Sequence, residues 1–170
     1  MGTATAVKEE KDFQTRTNEY AARCIKSMKD DLDALHHAQK CHRKDCKRGS
    51  ETVTRKRDDG TTYKQNVHEH PEVWHSEDDA RQVIEEGHYG AEVRSDWHTP
   101  GGEAEDIEYR VCLGGGGPAS QIVGVLGQFN QPESARFQFQ DWFQPWTTAH
   151  TTMEQDEIML EWVRNLYFGE

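Results

Sequence analysis

Apolar residues recur at three- and four-residue intervals near the start of the chain. Ile25, Met28 and Leu32 fall on one stripe of a segment, residues 7–39, that contains no glycine or proline. This spacing follows the period of an α-helix with one apolar face. Because an isolated helix is only marginally stable in water, the pattern predicts a long amphipathic helix that packs against another surface.

Two further segments carry signals for short elements. The β-prone runs between Glu51 and Val67 flank Asp59-Gly60, a pair typical of hairpin turns, and they predict a β-ribbon. Ser76 is a favourable N-cap and Gly87 a favourable stop, so residues 76–86 are predicted to form a short helix.

From residue 93 onward the apolar period changes to two. Short alternating or apolar runs, separated by turns rich in glycine and proline, predict four antiparallel strands at 93–97, 107–113, 122–126 and 137–139. A last helix follows, with capping-box spacing from Thr151 to Glu154. Its predicted apolar stripe consists of Met159, Trp162, Val163, Leu166 and Tyr167.

Together these patterns predict an α+β protein. We expect a four-stranded antiparallel sheet packed by the C-terminal helix, with a long N-terminal helix and a basic β-ribbon before it. The expected domains are residues 1–75, with the long helix, a Cys/His segment and the ribbon, and residues 76–170, the α+β core. Trp142 and Trp146 lie in an aromatic loop, and we expect them to cap the core beneath the last helix.

The charges are unevenly distributed. Residues 65–170 contain no lysine and have five arginines against twenty acidic residues, whereas residues 40–64 have nine basic residues against four acidic ones. A strongly acidic body repels nucleic acid and favours basic partners, although acidic charge also simply keeps a protein in solution. The candidate partner-binding residues on this body are Glu77, Asp78, Asp79, Glu85, Glu86, Glu103, Glu105 and Asp106.

The basic segment offers an alternative binding surface. A two-stranded ribbon can enter the major groove of DNA, where lysine and arginine also contact phosphates. The candidate nucleic-acid-binding residues are Arg43, Lys44, Lys47, Arg48, Arg55, Lys56, Arg57 and Lys64. The acidic charge of the body opposes a long contact with a phosphate backbone, so direct nucleic-acid binding is the less favoured hypothesis.

Cysteine and histidine residues gather in the same part of the chain. Zinc prefers four nitrogen or sulfur ligands in a tetrahedron, which makes Zn²⁺ the cofactor that this composition suggests. Since the C-x4-C spacing is looser than that of a zinc finger, free cysteines and solvated histidines are the alternative. The predicted ligands are Cys41, Cys46, His68 and His70, with His36, His37 or His42 as substitutes.

No motif in the sequence points to an enzyme. The chain has no phosphate-binding loop with its lysine, no G-x-S-x-G elbow and no complete deaminase signature. It also has no apolar run of the roughly 20 residues that a membrane helix needs, and no apolar signal-peptide region. We therefore expect a non-enzymatic, cytoplasmic protein without a membrane partner.

Five short motifs stand out in the C-terminal half, namely Glu92-Val-Arg-Ser-Asp-Trp97, Gly116-Gly-Pro-Ala-Ser-Gln-Ile-Val-Gly124, Gln140-Asp-Trp142, Pro145-Trp-Thr147 and Tyr167-Phe-Gly-Glu170. On these motifs, residues 92–170 resemble a family of uncharacterised tailed-phage and prophage proteins. The family has no assigned chemistry, so the resemblance implies an origin rather than an activity. The N-terminal half departs from the family pattern.

A phage origin suggests two functions. By analogy of class and charge, the first is an anti-CRISPR-like inhibitor that meets a host defence protein or ribonucleoprotein through its acidic surface, in the cytoplasm of the host cell. The second is a zinc-stabilised accessory protein that binds nucleic acid through the basic ribbon. Direct binding to DNA or RNA distinguishes the two.

Overall fold

The computed structural model describes residues 3–41, 50–57, 60–68, 74–95 and 106–168. These residues form an α+β fold, as predicted, with three α-helices and two antiparallel sheets. None of the helices in the described ranges is long and apolar enough to cross a membrane. The elements are α1 (Thr3–Lys40), β1 (Ser50–Lys56), β2 (Thr62–His68), α2 (Glu77–Glu86), β3 (Gly90–Ser95), β4 (Asp106–Gly114), β5 (Ala119–Val125), β6 (Arg136–Gln140), β7 (Thr147–Thr148) and α3 (Met153–Val163).

The chain separates into two compact units. Unit 1 comprises residues 1–32 and 84–170, and unit 2 comprises residues 33–83, so α1 and α2 each contribute to both. This grouping differs from the expected boundary after residue 75, because the first part of α1 packs with the C-terminal sheet. Whether residues 76–170 fold by themselves stays a prediction.

The main sheet lies in unit 1 and has five strands in the order β3-β4-β5-β6-β7, each antiparallel to the next. The predicted number of four was therefore wrong by one strand, β7, which pairs with Gln138 and Phe139 of β6. A strand of two residues is too short to show an alternating pattern, which is why the sequence did not indicate it. Trp97, at the end of the first predicted strand, lies outside the described residues.

One face of the main sheet forms the core with α1. Val111, Ile122 and Phe137 lie side by side on three neighbouring strands and are fully buried. Phe139 points to the same face, and its ring centroid lies 4.8 Å from that of Tyr20 on α1. Phe13 and Tyr20 of the first helix thus pack on the sheet, and Ile25, Met28 and Leu32 of the predicted stripe are buried, in agreement with the prediction that the helix needs a partner surface.

The last helix adds to this core. Met159, Trp162 and Val163 of α3 are buried. The indole Nε1 of Trp162 donates a hydrogen bond to a carboxylate oxygen of Asp31 on α1, at 3.3 Å. Tyr167, which was predicted to belong to the apolar stripe, is 77% exposed. It does not follow the helical stripe because α3 ends at Val163.

The capping box of α3 begins one residue later than predicted. Thr152 is the N-cap, and its hydroxyl accepts a hydrogen bond from the backbone N–H of Gln155. The side chain of Gln155 accepts one in return from the backbone N–H of Thr152, which completes the box. Thr151, the predicted cap, instead donates its hydroxyl to the carboxylate of Asp156.

The expectation that two tryptophans cap the core was also wrong. Trp142 and Trp146 are 65% and 38% exposed. The Trp142 ring packs over Gly117, where an added Cβ would lie 2.6 Å from the ring. The indole is therefore positioned by backbone contact on the surface rather than by the core.

Unit 2 contains the ribbon and most of the short helix. β1 and β2 pair antiparallel from Ser50 opposite His68 to Lys56 opposite Thr62, which confirms the predicted β-ribbon. The short helix is confirmed as α2, and the backbone N–H of Asp79 donates to Ser76 Oγ at 3.2 Å, so Ser76 caps it as predicted.

Candidate metal centre

Three potential metal ligands converge in unit 2. His37 and Cys41 are four residues apart at the C-terminal end of α1, a spacing that places both on one helix face. His75 lies in the turn before Ser76, the cap of α2. One ligand atom from each residue lies within 4.8 Å of the other two, and the Cys41 Sγ is 3.1 Å from the His75 Nδ1.

The surroundings hold these side chains in place. All three residues are partly buried. The ring of Trp74 meets the ring of His37 edge-on, with centroids 5.9 Å apart, and the rings of His37 and His75 are 5.8 Å apart. These edge-on ring contacts restrict the rotamers of the two histidines, and the Nδ1 atom of His75 already faces the Cys41 thiol.

A hydrogen bond next to the cluster connects the two segments that supply the ligands. Gln39 Nε2, at the end of α1, donates to Glu77 Oε1 at the start of α2, at 3.4 Å. Arg81 donates to the same carboxylate oxygen at 2.8 Å, and these two contacts, that from Arg81 foremost, lower the pKa of Glu77. These contacts hold together the two segments that carry the candidate ligands.

Two nitrogen atoms and one thiolate form a donor set typical of zinc. With Zn–N and Zn–S bonds of about 2.0–2.3 Å, tetrahedral geometry requires ligand atoms roughly 3.5 Å apart. The observed spread, up to 4.8 Å, needs side-chain movements of about an ångström to close on one ion. These residues can therefore hold a metal ion with three protein ligands and leave a fourth position for another group.

A thiol beside an imidazole is also the start of a nucleophilic pair. In enzymes of that kind a third group, usually a carboxylate or an amide, orients the imidazole. Here the third group in the cluster is His37, a second nitrogen donor. The composition of the cluster thus favours metal binding over nucleophilic catalysis.

Among the described residues, only some of the predicted zinc ligands belong to the group of His37, Cys41 and His75. Cys41 belongs to it, and His37, a predicted substitute, does as well. His36, another substitute, is exposed on α1 and is not part of the group. His68 ends β2, and its side chain is outside the described part of the structure, as are the whole of Cys46, His70 and His42.

His75 is the candidate ligand that sequence reasoning did not select. Two signals could have identified it. The H-x3-C spacing at the end of a predicted helix places His37 and Cys41 on one face, and His75 directly precedes the N-cap of the next helix.

The predicted acidic surface is partly described. On α2, Glu77, Asp78, Asp79, Glu85 and Glu86 are all exposed. Asp78, Asp79 and Glu85 have no ion-pair partner among the described residues. Asp106 begins β4, and its side chain is not described, while Glu103 and Glu105 lie outside the described ranges.

The predicted basic surface is described only at the ribbon. Lys56 and Arg57 are exposed at the end of β1. Arg55 and Lys64 lie on β1 and β2, but their side chains are outside the described part. The remaining candidates, Arg43, Lys44, Lys47 and Arg48, also fall in undescribed ranges.

Comparison of the chain with protein families, with curated proteins and with solved structures gave no match. The geometry of the side chains is therefore the basis for the functional proposals that follow.

Proposed function

We propose that this protein is a non-enzymatic, phage-encoded inhibitor of a host nucleic-acid-handling defence complex, such as a CRISPR effector. It acts in the host cytoplasm by placing its acidic surface in a basic groove that otherwise holds DNA or RNA. The observation that carries the proposal is the exposed first turn of α2, with three consecutive acidic residues. Asp78 and Asp79 have no ion-pair partner among the described residues and can meet cations of another molecule.

Electrostatic complementarity supports this mode of action. Opposite charges across an interface raise the association rate and orient the partners, and salt screens both effects. Residues 65–170 contain twenty acidic residues against five arginines, so a basic groove is attracted while free nucleic acid is repelled.

The test measures how much target DNA each of a panel of purified CRISPR effector ribonucleoproteins binds, with and without this protein. We expect the protein to reduce DNA binding by at least one effector, and we expect the variant Asp78→Lys/Asp79→Lys to inhibit less, mainly through slower association. Glu133→Lys/Glu157→Lys is the matched control, because it changes two exposed acidic residues elsewhere by the same charge. Equal loss in both variants, or tight binding of the protein itself to DNA at about 0.15 M salt, contradicts the proposal.

A second candidate function rests on the metal cluster. Under this proposal, Zn²⁺ held by His37, Cys41 and His75 stabilises unit 2, and the ribbon binds nucleic acid. An ion that binds only the folded state stabilises it by about 2.7 kcal/mol when its free concentration is 100 times the Kd.

Metal analysis and unfolding test the zinc part of this candidate. Protein purified without chelator should contain about one zinc per chain, and chelation should lower the unfolding temperature. Cys41→Ser should abolish both effects, whereas Cys112→Ser, a control at a thiol outside the cluster, should leave them unchanged. Metal-free protein with the same stability in chelator contradicts zinc binding.

Duplex binding tests the nucleic-acid part. Lys56→Gln/Arg57→Gln should weaken binding and reduce the slope of log K against log salt by about one for each lost phosphate contact. Lys26→Gln/Lys29→Gln removes two exposed charges from α1 and serves as the control. Unchanged binding in the ribbon variant rejects the ribbon as the nucleic-acid surface.

A further inference from the structure

The outer face of the main sheet gathers arginines. Strand alternation places Arg94, Arg110 and Arg136 on the face opposite to buried Val111 and Phe137. Three of the five arginines in residues 65–170 therefore share one surface of an otherwise acidic body. This face shares no residue with the acidic α2 surface or the metal cluster.

Cross-strand ion pairs hold two of these arginines. Arg94 pairs with Glu108, and Arg110 pairs with Glu92, in each case on the neighbouring strand. Arg136 is exposed and has no ion-pair partner in the described part of the chain. The three arginines and two glutamates leave one positive charge in excess, and that charge is on Arg136.

The strand register places two arginines on either side of Val123. Arg110, Val123 and Arg136 lie side by side on β4, β5 and β6. The backbones of β4 and β6 are two strand spacings apart, roughly 10 Å. Arginine side chains are long enough to span half of that distance each. Arg136 can therefore reach a point above Val123, and Arg110 can reach the same point when its guanidinium turns from Glu92 towards β5.

These residues line a concave cavity of about 610 Å³. Val123 and Val125 form an apolar part of its floor, and Val125 is 41% exposed. Gln121 and Gln138 lie beside them, with Gln121 Nε2 donating to Gln138 Oε1 at 2.8 Å. Its volume is within the range of small-ligand sites, and its lining combines this apolar patch with polar and charged side chains, including Glu92 and Glu108.

We propose that this face binds a small phosphorylated molecule of nucleotide size. The phosphate lies between Arg110 and Arg136, because guanidinium groups bind phosphate through paired hydrogen bonds. The ring system lies on Val123 and Val125, with its polar edge at the glutamine pair. A long polyanion is disfavoured, because it would continue past the cavity over an acidic body.

Isothermal titration calorimetry with the four ribonucleoside monophosphates tests the proposal on the full chain. We expect saturable binding of at least one of them, and no binding of the corresponding nucleoside. Arg136→Gln should weaken binding roughly 10- to 100-fold, the usual effect of losing a hydrogen bond to a charged group. Arg81→Gln, an equal change at an exposed arginine of α2, should have no effect.

Further arms of the experiment decide between sources of phosphate. Inorganic phosphate should bind more weakly than the nucleotide, since it lacks a group for the apolar floor. Equal affinity for inorganic phosphate, tighter binding of a single-stranded oligonucleotide, or no saturable binding of any monophosphate overturns the proposal. A nucleotide affinity that survives Arg136→Gln in a variant with the parent unfolding temperature overturns it as well.

Discussion

Removing the ring of Phe139 tests how α1 is held on the sheet. Phe139 lies on β6, is 5% exposed and contacts two aromatic rings of α1, with centroids 5.9 Å from Phe13 and 4.8 Å from Tyr20. Truncation of a buried phenylalanine to alanine costs about 3–5 kcal/mol through lost burial and the cavity left behind. Since whole domains are stable by about 5–15 kcal/mol, Phe139→Ala should remove a large part of the free energy of unfolding.

Urea unfolding followed by tryptophan fluorescence measures this loss, because Trp162 is buried in the core of the same unit. For a chain of this size, the expected cost corresponds to a fall in unfolding temperature of roughly 10 °C. Phe129→Ala is the control. Phe129 is 89% exposed, so the change there should alter stability by no more than about 0.5 kcal/mol.

A double-mutant cycle isolates the helix–sheet contact. Tyr20→Leu and Phe139→Leu, measured singly and together, should give a coupling energy of about 0.5–1.5 kcal/mol, the usual value for an aromatic pair. A coupling below about 0.3 kcal/mol, the level found for independent sites, refutes the packing of α1 on β6. A fragment of residues 76–170 lacks Tyr20, and we expect it to unfold cooperatively but at a lower urea concentration than the whole chain.

Three smaller changes follow from other parts of unit 1. Gly124→Ala should cost about 1–3 kcal/mol or more, because the added Cβ would clash with the backbone carbonyl oxygen of Ser134 and lie 2.6 Å from the ring of Tyr109, whereas Gly90→Ala meets nothing within 4 Å and serves as its control. Burial raises the pKa of Asp31, so its contribution to stability is present below the unfolded pKa of about 3.9 and is lost as pH rises through the folded value. Asp31→Asn should therefore become more stable relative to the parent between pH 3.5 and pH 7, and a constant difference in urea midpoint across that range contradicts this assignment. Thr152→Ala should cost about 1 kcal/mol by removing the helix cap, and an unchanged midpoint would place the cap elsewhere.

The arginine face changes how the charge of the chain is understood. The composition of residues 65–170 indicates a uniformly acidic body, but the register of three strands concentrates arginines on one side of the sheet. The acidic side chains of α2 are also exposed. A single chain thus offers an exposed acidic helix and a sheet face with one excess positive charge, and binding at each can be tested independently.

Much of the secondary structure could be predicted from the sequence by itself. The long α1, the ribbon with its turn at Gly60, the capped α2 and four strands of the main sheet all follow from hydrophobic period, turn residues and caps. These signals act between residues a few positions apart, so they are present in the sequence before the chain is folded.

The tertiary structure alone decided which distant residues meet. His75 joins Cys41 across 34 positions, and Arg110 comes beside Arg136 through an intervening strand. Likewise, β7 exists because β6 offers it an edge, and Trp142 is exposed because its ring packs over backbone at Gly117. In each case the deciding contact depends on how the chain reverses direction between two segments. Local patterns can mark a candidate such as His75, but they do not encode that path.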